Sequence, residues 1–178
     1  MSLDCLLVYM DADFAGCVHT RKSTSGGDVV WGQSCLKSWA KTQPTIALSS
    51  GESELAGVVR GAAEGLGFQA ILADFGMQMP LIMKSDATAA IGIVSREGLG
   101  KVRHLATADL WIQQRVRRGE IAVEKWPGQE NPADLATKGV GRATLDHLLP
   151  KLGFSFAEGR AESAPAMKQG AGRTGTAA

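Results

Sequence analysis

A nearly unbroken apolar run, residues 5–11, opens the chain and ends in an acid, Asp11. A run without polar alternation suits a central strand covered on both faces. Residues 25–31 and 34–41 give two further strands, and the two-residue connection Gly32-Gln33 between them predicts a hairpin. Ser49 followed by Glu52 has the spacing of a reciprocal helix cap, so a helix is predicted from there to about Phe75. Gly57, Gly61 and Gly65 form one stripe of that helix, a surface suited to close packing on a sheet. Residues 81–86 predict a fourth strand, again ending in an acid, and residues 87–94 a short helix. A basic, glycine-bearing loop over 96–103 leads to a helix over about 105–118, which Gly119 ends. Residues 121–126 predict a fifth strand. Asn131 and Pro132 then have the residue types of a helix N-cap and first position, and a last short helix covers 142–152.

Three strands with tight connections, followed by strands joined through helices, imply a mixed sheet with parallel pairs. The expected class is α/β, a five-stranded mixed sheet flanked by helices, over residues 1–152. Residues 153–178, rich in Ala and Gly, are expected to form a disordered tail.

Composition changes this picture little. Hydrophobic residues are 44% and charged residues 21% of the 178 residues, ordinary for a domain with a core. A formal net charge of +1 excludes a strongly basic clamp but leaves room for a local phosphate-binding surface. Cys5, Cys17 and Cys35 are isolated thiols without a paired framework, as in a reducing compartment. With no apolar run of about 20 residues and no basic-then-apolar start, neither a membrane span nor a secretion signal is expected. An intracellular location follows, cytoplasmic or nuclear.

The candidate chemistry lies in the acids. Asp11 and Asp86 end the first and fourth strands, and ligands gather at the carboxyl ends of parallel strands. Glu54 falls early in the long helix and Asp134 early in the late one. Taken singly, each has an ordinary explanation as a strand-end, turn or helix-start acid. Four carboxylates in one place would repel unless cations lay between them. Oxygen ligands favour magnesium or manganese, and two such ions can clamp a scissile phosphate. Asp13, on the same strand face as Asp11, and Glu52, beside Glu54, are alternative ligands.

The blocks Tyr9-Met10-Asp11-Ala12-Asp13-Phe14-Ala15-Gly16, Arg21-Lys22-Ser23-Thr24-Ser25-Gly26 and the stretch from Ser38 to Glu54 occur in that order. Lys84-Ser85-Asp86-Ala87-Thr88-Ala89-Ala90-Ile91 and Asn131-Pro132-Ala133-Asp134-Leu135-Ala136-Thr137-Lys138 follow. Together they resemble the ribonuclease H domain of copia-type retrotransposon Pol polyproteins, over roughly residues 6–152. The resemblance implies a ribonuclease H-like layered fold and cleavage of the RNA strand of RNA–DNA hybrids. It makes Asp11, Glu54, Asp86 and Asp134 the catalytic and metal-binding carboxylates, holding two Mg2+ or Mn2+ ions. It also implies a reverse transcriptase domain upstream in a polyprotein; alone, the domain is expected to be monomeric. Many cellular ribonucleases H place a histidine in the loop before the last acid, and residues 127–131 contain none.

Hybrid contact is expected through phosphates and 2′-hydroxyls. The candidates are Arg21, Lys22, Ser23, Thr24, Ser25, Gln43, Ser50, Lys101, Arg103 and His104. Trp39 and Trp111 could stack on substrate, although core packing is the favoured reading of both. Two other functions fit the same acids: an inactive or repurposed nucleic-acid-binding remnant of this fold, and an integrase- or transposase-type DNA strand transferase.

Overall fold

The computed structural model describes residues 4–98, 110–157 and 159. The predicted helix start at 105–109, the candidates Lys101, Arg103 and His104, and most of the predicted tail lie outside the described residues.

β1 (Leu6–Ala12) is the middle strand of a five-stranded sheet, with β2 (Thr24–Trp31) and β3 (Ser34–Thr42) on one side. β4 (Leu81–Ser85) and β5 (Ala122–Lys125) lie on the other. β1–β2 and β2–β3 pair antiparallel; β1–β4 and β4–β5 pair parallel. This is the mixed sheet that the strand and helix order predicts. Gly32 in the β2–β3 turn has φ 61, the positive value that a mirror-image hairpin turn needs at its first central residue. The β2–β3 register shifts between Val29 and Val30, a bulge that the alternation of β3 does not reveal.

β1 is apolar throughout because both faces are covered. Leu6, Val8 and Met10 enter a core with Val29, Trp39, Leu55, Val58, Ala62, Leu81 and Met83. On the opposite face, Tyr9 and Val30 pack with Ala133 and Leu152. Trp39 is thus a core residue and no platform for substrate.

The first face is closed by α1 (Ser50–Asp74). Its cap departs slightly from the sequence reading. The Ser49 hydroxyl accepts from the Glu52 N–H, but the Glu52 carboxylate reaches back to the N–H of Leu48 at 2.6 Å, one residue before the cap. The glycine stripe acts as expected. A Cβ at Gly61 would lie 2.6 Å from Met10 Cγ, and one at Gly65 would lie 2.7 Å from Leu81 Cδ1. At Gly57 the nearest atom is the Asp11 carbonyl oxygen, at 3.5 Å. The stripe therefore lets α1 lie close along β1, and the first turns of α1 come down over the strand's acidic end.

α2 (Thr88–Val94) follows β4, and α3 (Trp111–Arg117) precedes β5. Ile112 is fully buried, and Trp111 packs against the α1-side core. The opposite face carries α4 (Asp134–Thr137) and α5 (Arg142–Leu148), the latter continued by a 3-10 turn over Leu149–Leu152. α4 is a single turn that starts at Asp134, later than Asn131 and Pro132 predict. Among the described residues, no helix is long and apolar enough to cross a membrane.

Candidate metal centre

The parallel pairing of β1 with β4 aligns their carboxyl ends. Asp11, the penultimate residue of β1, and Asp86, the residue after β4, therefore sit side by side. Glu54, the fifth residue of α1, comes over them on the helix that Gly57 seats against Asp11. One carboxylate oxygen from each of Asp11, Glu54 and Asp86 lies within 4.8 Å of the other two. Among the described residues these form a group of three that could hold a metal ion.

Asp11 is 2% exposed. Thr137 donates to its Oδ2, and the Lys138 ammonium lies 3.3 Å from its Oδ1. Glu54 is compensated less. Burial first, then the charges of Asp11 and Asp86, raises its pKa from 4.5 to about 8, against smaller opposing effects from Lys138 and a bond from the Ala12 N–H. Asp86 is held through its backbone, since its carbonyl accepts from Lys125 Nζ, which also bonds Thr88 Oγ1 at 2.7 Å.

The fourth acid, Asp134, stands beside this group rather than in it. Its Oδ1 accepts from Lys138 at 2.7 Å, so one ammonium spans Asp134 and Asp11. Burial raises the Asp134 pKa, and Asp11 and Asp86 add to the shift, while Lys138 opposes it. Burial lowers the Lys138 pKa, but the bonds and charges of Asp134 and Asp11 outweigh it and leave the ammonium more basic than usual.

α4 reaches β1 because Asn131 holds it there. Buried Asn131 donates from Nδ2 to the Met10 carbonyl at 2.9 Å, and its Oδ1 accepts from the Ala133 N–H at 3.2 Å. A residue with the character of a helix cap thus also ties α4 to the strand next to Asp11.

The two alternative ligands have other partners. Asp13 accepts from the Thr24 N–H across the turn after β1, and Glu52 serves the α1 start. Three of the expected substrate contacts point inward. Buried Ser23 accepts from the Ala15 N–H at 3.0 Å. Buried Gln43 donates to Ser25 Oγ at 2.9 Å and to the Ser53 carbonyl at 2.8 Å. For Ser23, Ser25 and Gln43 the structure therefore gives internal roles, although Ser25 and Gln43 also line a depression of ≈ 290 Å³ with Lys41 and Arg60. Arg21 and Ser50 are exposed, and Lys22 and Thr24 are half-buried. Sequence reasoning assigns Thr137 and Lys138 no role. Their spacing carries the signal nonetheless, because positions three and four after Asp134 share its helix face.

The residues present fit a hard divalent cation. The donors are all carboxylate oxygens, and the ionised form of Glu54 faces two like charges that a cation between them would offset.

No family model matches the chain. It is 29% identical over 137 residues, 75% of its length, to the retrovirus-related Pol polyprotein from transposon TNT 1-94 of Nicotiana tabacum. It is 26% identical over 151 residues to that from transposon RE2 of Arabidopsis thaliana, which covers 83% of the chain. The chain spans 10% of the length of each of these curated relatives. Among solved structures, LC11-RNase H1 from compost superimposes with a TM-score of 0.52 at 13% identity, over 75% of this chain and 93% of that one. The N-terminal ribonuclease H domain of Rv2228c from Mycobacterium tuberculosis gives 0.51 at 16% identity, over 74% and 89%. LC11-RNase H1 has also been solved in complex with an RNA/DNA hybrid, and that structure matches with a TM-score of 0.51 over 74% of this chain and 93% of that one.

Proposed function

For a chain homologous to retrovirus-related Pol polyproteins and folded as a ribonuclease H, we propose a hybrid-specific endoribonuclease that hydrolyses the RNA strand of RNA–DNA duplexes. In this reading Asp11, Glu54, Asp86 and Asp134 hold two Mg2+ or Mn2+ ions. The observation that carries it is the meeting of Asp11, Glu54 and Asp86 within 4.8 Å at the carboxyl ends of two parallel strands, with Asp134 on the adjacent turn. When bound, paired divalent ions lower the pKa of a water and stabilise charge on a departing phosphate oxygen.

The rest of the chemistry belongs to the chain. Thr137 fixes the Asp11 carboxylate, and Asn131 fixes the backbone beneath it, so the ligands are oriented in advance. Glu54 must lose its proton to become a ligand, so metal uptake is expected to release protons. Exposed Arg21 and Ser50 and half-buried Lys22 are assigned to phosphate contact, with little reading of base sequence. With a near-neutral net charge the domain alone should bind weakly, and affinity should fall steeply with salt. A reverse transcriptase elsewhere in a longer polyprotein would supply the remaining grip.

A gel assay with labelled RNA–DNA hybrid, duplex DNA and duplex RNA, in Mg2+ and in chelator, tests the reading. Mg2+-dependent loss of hybrid RNA alone is expected, and Asp11→Asn or Asp86→Asn should abolish it while preserving the fold. Binding without cleavage would point to a repurposed remnant, and nicking or joining of DNA to a strand transferase.

A further inference from the structure

Asp134, Thr137 and Lys138 lie together on the single turn α4 and its exit; Thr137 and Lys138 engage Asp11 at the acidic end of β1, and Asp134 joins them through Lys138. The acids are thereby divided into two compartments. Asp11, Glu54 and Asp86 approach within 4.8 Å of one another. The gap between Asp11 and Asp134 is instead spanned by the Lys138 ammonium, 3.3 Å from one carboxylate and 2.7 Å from the other. Asp11 belongs to both compartments, with one oxygen turned to Thr137 and the other to Lys138.

Lys138 can also leave. Its side chain is 46% exposed, whereas Asp11 is 2% exposed, and the charge sits at the end of a flexible four-carbon stem. The carboxylates are fixed by strand and helix, and the cation between two of them is not.

Resting on the metal-centre reading above, we propose that Lys138 is a tethered cation that fills the Asp11–Asp134 gap in the metal-free protein. It must swing out before a second divalent ion can enter. The two ions then load unequally: the first at Asp11, Glu54 and Asp86 without displacing Lys138, the second only in competition with it. Once displaced, the ammonium remains within reach of the site, where a substrate phosphate is its natural partner. Hybrid binding would then favour second-ion uptake by drawing Lys138 away.

The test is titration of the full chain with Mn2+ alone, free ion being counted by electron paramagnetic resonance, for wild type, Lys138→Met and Lys138→Arg. Wild type should show one tighter and one weaker step. In Lys138→Met the weaker step should tighten about tenfold, as removing two partly exposed charge contacts implies, while the tighter step moves less than about twofold. Lys138→Arg, which keeps the charge, should resemble wild type. Thermal unfolding in chelator reports whether each variant folds; should Lys138→Met not fold, Lys138→Gln carries the same expectation with a hydrogen-bonding head.

An unchanged weaker step in the neutral variants would overturn the tethered-cation role and leave the metal centre standing. Absence of Mn2+ uptake by wild type, even with hybrid added, would overturn the metal centre itself and this proposal with it.

Discussion

Glu54 offers a quantitative check on the site that needs neither substrate nor turnover. In the metal-free fold its pKa stands near 8 against an ordinary 4.5, because it is buried and faces Asp11 and Asp86. Between those two pH values the folded chain keeps a proton that the unfolded chain has lost. Stability therefore falls as pH rises, and the contribution, complete below 4.5, is gone above about 8. Each tenfold change in proton affinity corresponds to about 1.4 kcal/mol, which sets a ceiling of about 5 kcal/mol. Glu54 is partly exposed, and solvent screening reduces the effect to about 2–3 kcal/mol. For a chain of this length that amounts to about 5–10 °C in Tm. Glu54→Gln keeps an acceptor for the Ala12 N–H but cannot ionise. In chelator, the Tm of wild type should fall relative to Glu54→Gln by this amount between pH 5 and 9. Other titrating groups, including Asp28 and Asp134, act in both proteins and cancel in the difference. Excess Mg2+ should remove the gap by stabilising the ionised form. Parallel curves in chelator would refute the crowding of the three carboxylates.

Other perturbations probe the scaffold. Gly27→Ala should destabilise by about 1–3 kcal/mol in urea unfolding, because its Cβ would lie 2.6 Å from the Tyr9 carbonyl oxygen, a backbone atom that cannot yield. Gln43→Ala should cost about 2 kcal/mol by leaving the Ser53 carbonyl and Ser25 hydroxyl without their partner. Hybrid cleavage should persist once the variant is assayed below its melting temperature. Asp28 is buried, its Oδ2 has no hydrogen-bond partner among the described residues, and burial raises its pKa despite the Ser38 bond. Its contribution is present at acid pH and lost as pH rises, so Asp28→Asn should gain stability over wild type on the alkaline side, by about 1 kcal/mol at pH 9.

The parts of the molecule legible in sequence are those that local pattern determines. The apolar run of β1 reports that both faces are covered, and the acid ending it marks where the strand meets solvent or ligand. Ser49 and the glycine stripe fix where α1 starts and how closely it approaches β1, so local pattern alone brings Glu54 toward Asp11. The features that sequence hides depend on partners distant along the chain. Asn131 has the residue type of a helix cap, but its bond to Met10 joins positions 121 residues apart. Ser23, Ser25 and Gln43 stand beside basic residues in sequence, as surface contacts would, yet burial under α1 and the first turn commits them to internal bonds. The bulge in β3 and the single-turn length of α4 are likewise set by packing, not by propensity.

The same division explains where the centre keeps its electrostatic cost. Asp11 is the most deeply buried of the four acids, in a position where an unpartnered charge would be most costly. It has two compensating partners, Thr137 and Lys138, both supplied by a turn that Asn131 anchors to β1. Among the described residues, Glu54 has the Ala12 N–H and the attraction of Lys138, against two neighbouring carboxylates. The proton of the metal-free site therefore rests on Glu54. The α4 turn contains neither Glu54 nor Asp86, yet it supplies both partners of the buried Asp11 carboxylate, so loss of Thr137 or Lys138 should lower the stability of the metal-free fold by leaving that charge with a single partner.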